Sequence, residues 1–153
     1  MMIPTWYHLN LWLHLVAVSL WLGMTVHFSY VTVPMLRALP PEQVGDQLKI
    51  MGTRARKIVI FLMAVLLATG MVNLYRLGLL SDGEGWTTAF GWTVAVKVGL
   101  ALILFGMFPV LFAVSMRHGT PSLDQRITRL NRLHWAISAV TLLIMFLGVM
   151  LRV

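Results

Sequence analysis

Two histidines in apolar surroundings are the side chains of this chain best suited to chemistry. His27 lies in the N-terminal stretch that precedes Arg37, the first charged residue, and His134 opens the last apolar run. An ionisable side chain within a bilayer costs free energy and usually marks function, and imidazole is the commonest metal ligand in proteins. The two histidines therefore predict a heme or metal site between helices.

Helical spacing indicates what surrounds these histidines. Tyr30 follows His27 by three residues, so its phenol is expected on the same helix face. Ser138 and Thr141 follow His134 by four and seven residues. This polar stripe is typical of a helix face that points into a bundle.

A b-type heme is the first occupant that this pattern favours. It needs axial imidazoles from facing helices, an apolar slot for the ring and basic groups for its propionates. His27 and His134 are the expected axial ligands, because both are assigned to the cytoplasmic half of the membrane. The basic residues expected at the rim are Arg54, Arg56, Arg129 and Arg132.

Copper is the alternative occupant. His14, His27 and methionines such as Met24 would then act as transient soft ligands in copper transport or handling. Copper passage would favour ligands stepped along one path, whereas histidines and arginines grouped on one side favour heme. A third interpretation assigns no metal, with each histidine bonding a hydroxyl or carbonyl of a neighbouring helix.

A second polar site is predicted in the outer half of the membrane. Lys97 is the only charged side chain inside an apolar run, near Trp92. Its stem can extend to the outer interface, or its ammonium group can point inward and meet His14. Trp21 follows His14 by seven residues and would cover the inner side of that site. A second heme, a quinol and a water chain remain open as its occupant, and one heme is predicted for the chain.

Composition identifies the class of protein. Hydrophobic residues make up 59% of the 153 residues and charged residues 11%, which is typical of membrane proteins. Because a spanning helix needs about 20 apolar residues, the chain is expected to form one transmembrane domain, an all-α four-helix bundle. The predicted spans are about 6–36, 58–75, 92–116 and 133–151.

The segments between the spans also carry signals. Pro40 and Pro41 are expected to open a short amphipathic helix through Lys49. Ser122 with Gln125 resembles a capping box, so the last helix is expected to start before its span. A turn is expected over residues 81–85, which hold Ser, Asp, Gly, Glu and Gly.

Charge distribution predicts the orientation. Basic residues dominate the segments 37–57 and 117–132, whereas the segment between the second and third spans carries Asp82 and Glu84 with Arg76. The positive-inside rule then places both termini outside the cytoplasm. The predicted location is a bacterial-type inner membrane, crossed several times.

Several function classes are excluded or disfavoured by residue content. The net charge of +7 belongs to the basic segments, where anionic lipid or cofactor propionates are expected partners rather than nucleic acid. The absence of cysteine excludes disulfides, thiolate metal sites, iron–sulfur clusters and covalently attached heme. No hydrolytic or phosphate-binding motif is present. A heme-dependent membrane oxidoreductase stays open, with no catalytic residue assigned.

The last apolar run resembles a known heme-binding helix. The sequence RLNRLHWAISAVTLLIMFLGVML, from Arg129 to Leu151, is similar to the first heme-binding helix of the membrane cytochromes b of hydrogenases and formate dehydrogenases. In those proteins an arginine-containing turn precedes a His-Trp pair, and the histidine binds heme near the cytoplasmic side. The resemblance implies that His134 is a heme ligand, with Trp135 as its neighbour.

A second resemblance covers nearly the whole chain. Its motifs in order are LHLVAVSLWLG with His14, Trp21 and Gly23, VPML around Pro34, RARK, Thr69-Gly70, and TAFGWTVAVK with Gly91 and Lys97. This order is similar to the copper-resistance D family of membrane proteins and to the related HemJ-type protoporphyrinogen oxidases, although the Pro-Arg pair of the HemJ type is absent. The resemblance implies copper handling or heme chemistry.

Partners follow from these expectations. A membrane cytochrome b would exchange electrons with a membrane quinol or a redox protein in an electron-transport role. Gly99, Ala101 and Gly106 are small residues of the third span, and small residues permit close contact between helices. A homodimer is therefore compatible with the sequence.

Overall fold

A computed structural model describes residues 5–79, 84–116 and 122–150. The helices are α1 (Thr5–His27), α2 (Val33–Ala38), α3 (Pro41–Arg76), α4 (Ala89–Met116) and α5 (Leu123–Met150), with a π-helical turn at Phe28–Thr32 and a 3₁₀ turn at Glu84–Thr87. No strand occurs in these ranges, and the prediction of an all-α protein is confirmed.

Within the described ranges, four helical segments are long and apolar enough to cross a membrane. They are Trp6–Ala38, Pro41–Arg76, Ala89–Val114 and Leu123–Met150. The prediction of a multi-pass helical protein is confirmed at this level. The side of the membrane on which the termini lie stays a prediction. We call the half of the bundle that contains α2 the inner half and the opposite half the outer half.

The second long helix differs from expectation at its start. The separate short helix predicted to end at Lys49 is wrong, because α3 runs without a break from Pro41 to Arg76. Proline at the first position suits a helix start, and Val44 and Leu48 are buried against neighbouring helices. With 36 residues at about 1.5 Å each, α3 is about 54 Å long. It therefore exceeds a hydrocarbon core of about 30 Å.

The first membrane segment contains the π-helical turn. Val33 donates its backbone N–H to the carbonyl of Phe28, a bond one residue longer than that of an α-helix. Pro34 follows directly; it has no N–H to give to Tyr30, and its ring crowds that carbonyl. In a wider turn, the Tyr30 carbonyl does not depend on an N–H from Pro34, and the proline ring has more room beside that carbonyl.

Two apolar cores hold the bundle together. The inner core joins α2 to α3 and α5, through Val33, Leu36, Val44, Leu48, Ile127 and Leu130. The central core consists of Ala17, Trp21, Leu62, Leu104 and Ile137. Each long helix contributes to at least one of them, so the bundle has a fixed rotation for every helix.

The predicted features of α5 appear in the structure. The backbone N–H of Gln125 donates to the hydroxyl of Ser122 at 3.4 Å, so α5 starts before its apolar run as expected. Ser138 and Thr141 are both 3% exposed, which confirms the inward-facing polar stripe. Residues 81–83 of the predicted external turn lie outside the described residues.

Candidate functional site

A cavity of about 490 Å³ lies in the inner half of the bundle. Its walls come from α1 and the π-helical turn (Ser19, Leu20, Trp21, Gly23, Met24, Thr25, His27, Phe28, Thr32), from α3 (Leu48, Met51, Gly52, Ala55, Arg56, Val59), from α4 (Phe108, Leu111, Phe112) and from α5 (Leu130, His134, Ile137). Most of these side chains are apolar, so the cavity is suited to an apolar occupant with few polar contacts.

Both predicted axial histidines, His27 and His134, line this cavity. His134 lies on α5, and its Nδ1 is 2.8 Å from the carbonyl oxygen of Leu130. A carbonyl only accepts, so Nδ1 carries the proton and, in the neutral ring, Nε2 keeps a lone pair. Donation from the second ring nitrogen to a carbonyl is the usual arrangement of a metal-binding histidine. The ring of Phe28 stacks on the imidazole at 3.8 Å between centroids and restrains its rotation.

His27 is the last residue of α1 and faces the cavity from the first membrane segment. Its imidazole is exposed and makes no side-chain hydrogen bond within the described residues. Tyr30, expected on the same helix face, is not among the residues that line the cavity. Tyr30 packs edge-on against Trp135 at 5.2 Å and is 65% exposed, because the π-helical turn changes the angular spacing after His27.

One of the four predicted rim arginines lines the cavity. Arg56 does so, and its guanidinium carbon lies 4.6 Å from the ring centre of Phe112. Arg54, Arg129 and Arg132 are exposed and take no part in the cavity wall. Among the described residues that line the cavity, Arg56 is the only arginine or lysine.

Met51 and Gly52 also line the cavity and were not expected there. The sequence does not predict them there, because the segment 37–57 is expected to form a loop with a short helix. A signal was present, since Leu48, Ala55 and Val59 complete an apolar face at helical spacing. With Met24 and Met51, two thioethers share the cavity with the two imidazoles.

Trp21 lines the inner cavity and belongs to the central core. It is 5% exposed and packs edge-on against Phe105 at 6.1 Å. Its indole N–H has no hydrogen-bond partner among the described residues. A buried donor of this kind usually bonds to water or a ligand.

His14, another residue of the predicted outer site, lies in a separate cluster. His14 Nδ1 is 2.7 Å from the hydroxyl of Thr69, and Asn10 donates its amide to Asn73 Oδ1 at 2.9 Å and to the Thr69 carbonyl at 3.3 Å. These contacts join α1 to α3. His14 does not line the inner cavity.

Lys97 lies on α4 and its side chain extends to α5. Its Nζ lies 2.9 Å from the point that a Cβ on Gly148 would occupy, so the ammonium group rests on the backbone of α5. The meeting of Lys97 with His14 stays a prediction.

The donor set of the inner cavity limits what it can hold. Within the described ranges, no three His, Asp or Glu side chains lie together as a metal cluster. A metal in the cavity would therefore be bound by two imidazoles together with thioethers, solvent or the ring nitrogens of a macrocycle. The residues present fit a heme, since heme iron takes one or two axial ligands from the protein.

The chain matches no protein-family model, no curated protein and no solved structure.

Proposed function

We propose that this protein is a membrane b-type heme-binding protein with a redox role. The observation that supports this proposal is one largely apolar cavity lined by His27 and His134, with His134 already oriented through Nδ1. An imidazole held in this way presents Nε2 to a metal without further rearrangement. This arrangement matches the requirements of axial heme ligation.

Cavity size favours heme over a bare ion. A volume of about 490 Å³ is within the range of about 300–1,000 Å³ that holds organic ligands and cofactors. A lone ion fills only the space inside its ligand shell. The surplus apolar volume is therefore better explained by a macrocycle.

The chain's own residues would have distinct roles. His134 and His27 would bind the iron from α5 and α1, and Phe28 would hold the His134 ring by stacking. Arg56 would pair with a propionate, and the apolar wall would exclude water. A heme bound there supplies one-electron redox chemistry.

Copper binding is the second candidate function. Met24 and Met51 line the same cavity as the two histidines, and thioethers with imidazoles are ligands that suit copper. In this alternative, copper handling of the copper-resistance D type would use the inner cavity.

Visible absorption of the full-length protein in detergent tests the proposal. The protein as purified, or after titration with hemin, is expected to show a Soret band and, after reduction, sharp α and β bands. His134→Ala and His27→Ala are each expected to abolish or shift these bands. His8→Ala is the matched control, because His8 is an exposed histidine of the same first helix and is expected to leave the spectrum unchanged.

Two outcomes would contradict heme binding. One is a colourless protein that does not bind hemin, and the other is a heme spectrum unaffected by both substitutions. Copper in the colourless protein, measured by elemental analysis and lost in Met51→Leu and His27→Ala, would support the second candidate instead.

A further inference from the structure

The inner cavity is open at its side. Gly23 and His27 of α1 and Arg56 of α3 line the cavity, and all three residues are also exposed on the outside of the bundle. Nothing lies within 4 Å of a Cβ placed on Gly23, so the space beside this glycine is empty. The cavity therefore has a mouth in the inner half of the bundle.

This mouth lies between α1 and α3. On the opposite side of α1, the hydroxyl of Thr25 accepts from the hydroxyl of Ser138 at 2.8 Å, so α5 covers that side. Gly23 is about 200° from Thr25 around the helix and faces away from α5. The facing edge comes from α3. We call this opening the window, and its edges are formed by Gly23, His27, Gly52, Ala55 and Arg56.

Contacts on either side of the window set its limits. In the outer half, His14 Nδ1 lies 2.7 Å from the hydroxyl of Thr69 and joins α1 to α3. Toward the inner end, Leu36 of α2 shares an apolar core with Val44 and Leu48 of α3. Between these two regions the window has glycine and alanine on its edges. Such small residues leave space that larger side chains would fill.

The surroundings of the window are apolar. Leu20 on α1 and Ile60 and Phe61 on α3 are all exposed, and exposed apolar side chains of a spanning helix contact the hydrocarbon of the bilayer. Arg56 adds a cation at the edge of the window. A compound that passes here needs an apolar body and an acidic group. Heme has both, in its macrocycle and its propionates.

We propose that heme enters and leaves the inner cavity sideways from the bilayer through the window, so that the protein exchanges heme with the membrane. This inference rests on the heme binding proposed above and adds a transfer activity to it. His27, exposed at the window, is the first imidazole that an entering heme meets. His134, on the far wall formed by α5, is the second. Arg56 pairs with the propionates while the ring passes.

Loading from the bilayer tests the route. Full-length protein is reconstituted in phosphatidylcholine vesicles with hemin dissolved in the same bilayer, and apo-globin in the water captures hemin that leaves the lipid. The vesicles are sedimented at intervals, and the Soret band of their protein is recorded. The initial loading rate is expected to be the same with and without apo-globin, because lateral entry has no aqueous step.

Gly23→Leu narrows the window from α1. Leucine favours the helix over glycine, and its Cβ meets open space, so the bundle is expected to fold. The rates of hemin association and dissociation are both expected to fall about tenfold with Kd unchanged, because a narrower passage raises the barrier and leaves the bound and free states alone. Stopped-flow absorption at the Soret band measures both rates.

Two further variants complete this experiment. Gly52→Leu narrows the window from α3 and is expected to slow both rates in the same way. Gly106→Leu is the matched control. Gly106 is an exposed glycine of α4 with nothing within 4 Å of an added Cβ, and it is not among the residues that line the cavity. Its substitution is expected to leave both rates unchanged.

Four outcomes would overturn the window and leave heme binding standing. They are loading abolished by apo-globin, rates unchanged in both Gly23→Leu and Gly52→Leu, equal slowing in Gly106→Leu, and an altered Kd with an unchanged association rate in Gly23→Leu. The last result would indicate contact with the bound heme rather than a narrower passage. Absence of hemin binding to the unsubstituted protein would instead overturn the proposed function and this inference together.

Discussion

His14 and His134 are oriented in the same manner although they lie in different halves of the bundle. Each gives its Nδ1 proton to an oxygen, Thr69 Oγ1 for His14 and the Leu130 carbonyl for His134. Each therefore presents Nε2 as the remaining ring nitrogen. The residue types and depths were predictable from the sequence, but the tautomer was not, because it depends on which oxygen lies beside each ring.

At the same scale, helical phase explains why Arg56 alone among the predicted arginines lines the cavity. Successive residues of a helix are about 100° apart, so Arg54 is about 200° from Arg56 on α3. Arg132 is likewise about 200° from His134 on α5. Residues two apart in sequence lie at a similar depth, as the sequence indicates. Their different angular positions on the helix nevertheless keep Arg54 and Arg132 out of the cavity wall.

Arg56→Leu and Arg54→Leu form a matched pair for the heme proposal. Arg56→Leu is expected to speed hemin dissociation about tenfold, because it removes a charge-assisted hydrogen bond to a propionate. Arg54→Leu is expected to change the rate little. The rate is measured by transfer of heme to an excess of an apo-globin acceptor. Equal effects of the two substitutions would contradict a specific role for Arg56.

At the scale of elements, the π-helical turn matches a pattern of buried residues. Ala17, Trp21, Thr25, Ser29 and Val33 are all buried and four residues apart. In an α-helix, positions four apart drift by about 40° at each step. A wider turn offsets part of this drift, so one side of the first membrane segment stays against the bundle through Val33.

Deletion of Val31 tests this role of the turn. Val31 is 52% exposed and lies in the π-helical turn. Its deletion is expected to convert the turn to α-helix while preserving the buried faces on both sides. The conversion restores the crowding caused by Pro34, which transmembrane helices tolerate, so the melting temperature is expected to fall by only a few degrees. Thermal unfolding in detergent, followed by circular dichroism, measures this.

Deletion of Leu20 is the control, because Leu20 is 55% exposed but lies in regular α1. It rotates the preceding residues by about 100°, which removes Ala17 from the core and separates His14 from Thr69. A loss of stability on the order of 10 °C is expected. Similar losses in both deletions would contradict the role proposed for the turn.

For the whole molecule, the long α3 helix implies that the bundle extends beyond the bilayer. The inner core of α2, α3 and α5 is strengthened at its edge by Arg37, which lies 3.7 Å from Asp124 and donates to Thr128 at 3.2 Å. Most exposed basic side chains of α3 and α5 belong to this half. The prediction that this half faces the cytoplasm rests on these basic residues.

Single-cysteine labelling tests the orientation, since the chain has no native cysteine. Lys49→Cys on α3 is expected to react with a membrane-impermeant maleimide only after cells are permeabilised. Thr87→Cys, in the 3₁₀ turn before α4, is expected to react in intact cells. Both positions are exposed. The reverse labelling pattern would contradict the prediction that both termini lie outside the cytoplasm.

The sequence alone determined that this is a helical membrane protein with histidines in both halves, because apolar length and the cost of buried ionisable groups are properties of the chain itself. It also predicted the inward polar stripe of α5 from spacing. The tertiary structure decided which residues share a site. Helix rotation, the π-helical turn and the unbroken start of α3 brought Met51 and Arg56 to the His27–His134 cavity and separated Arg54, Arg129 and Arg132 from it. These outcomes depend on contacts between distant segments, which local sequence patterns do not contain.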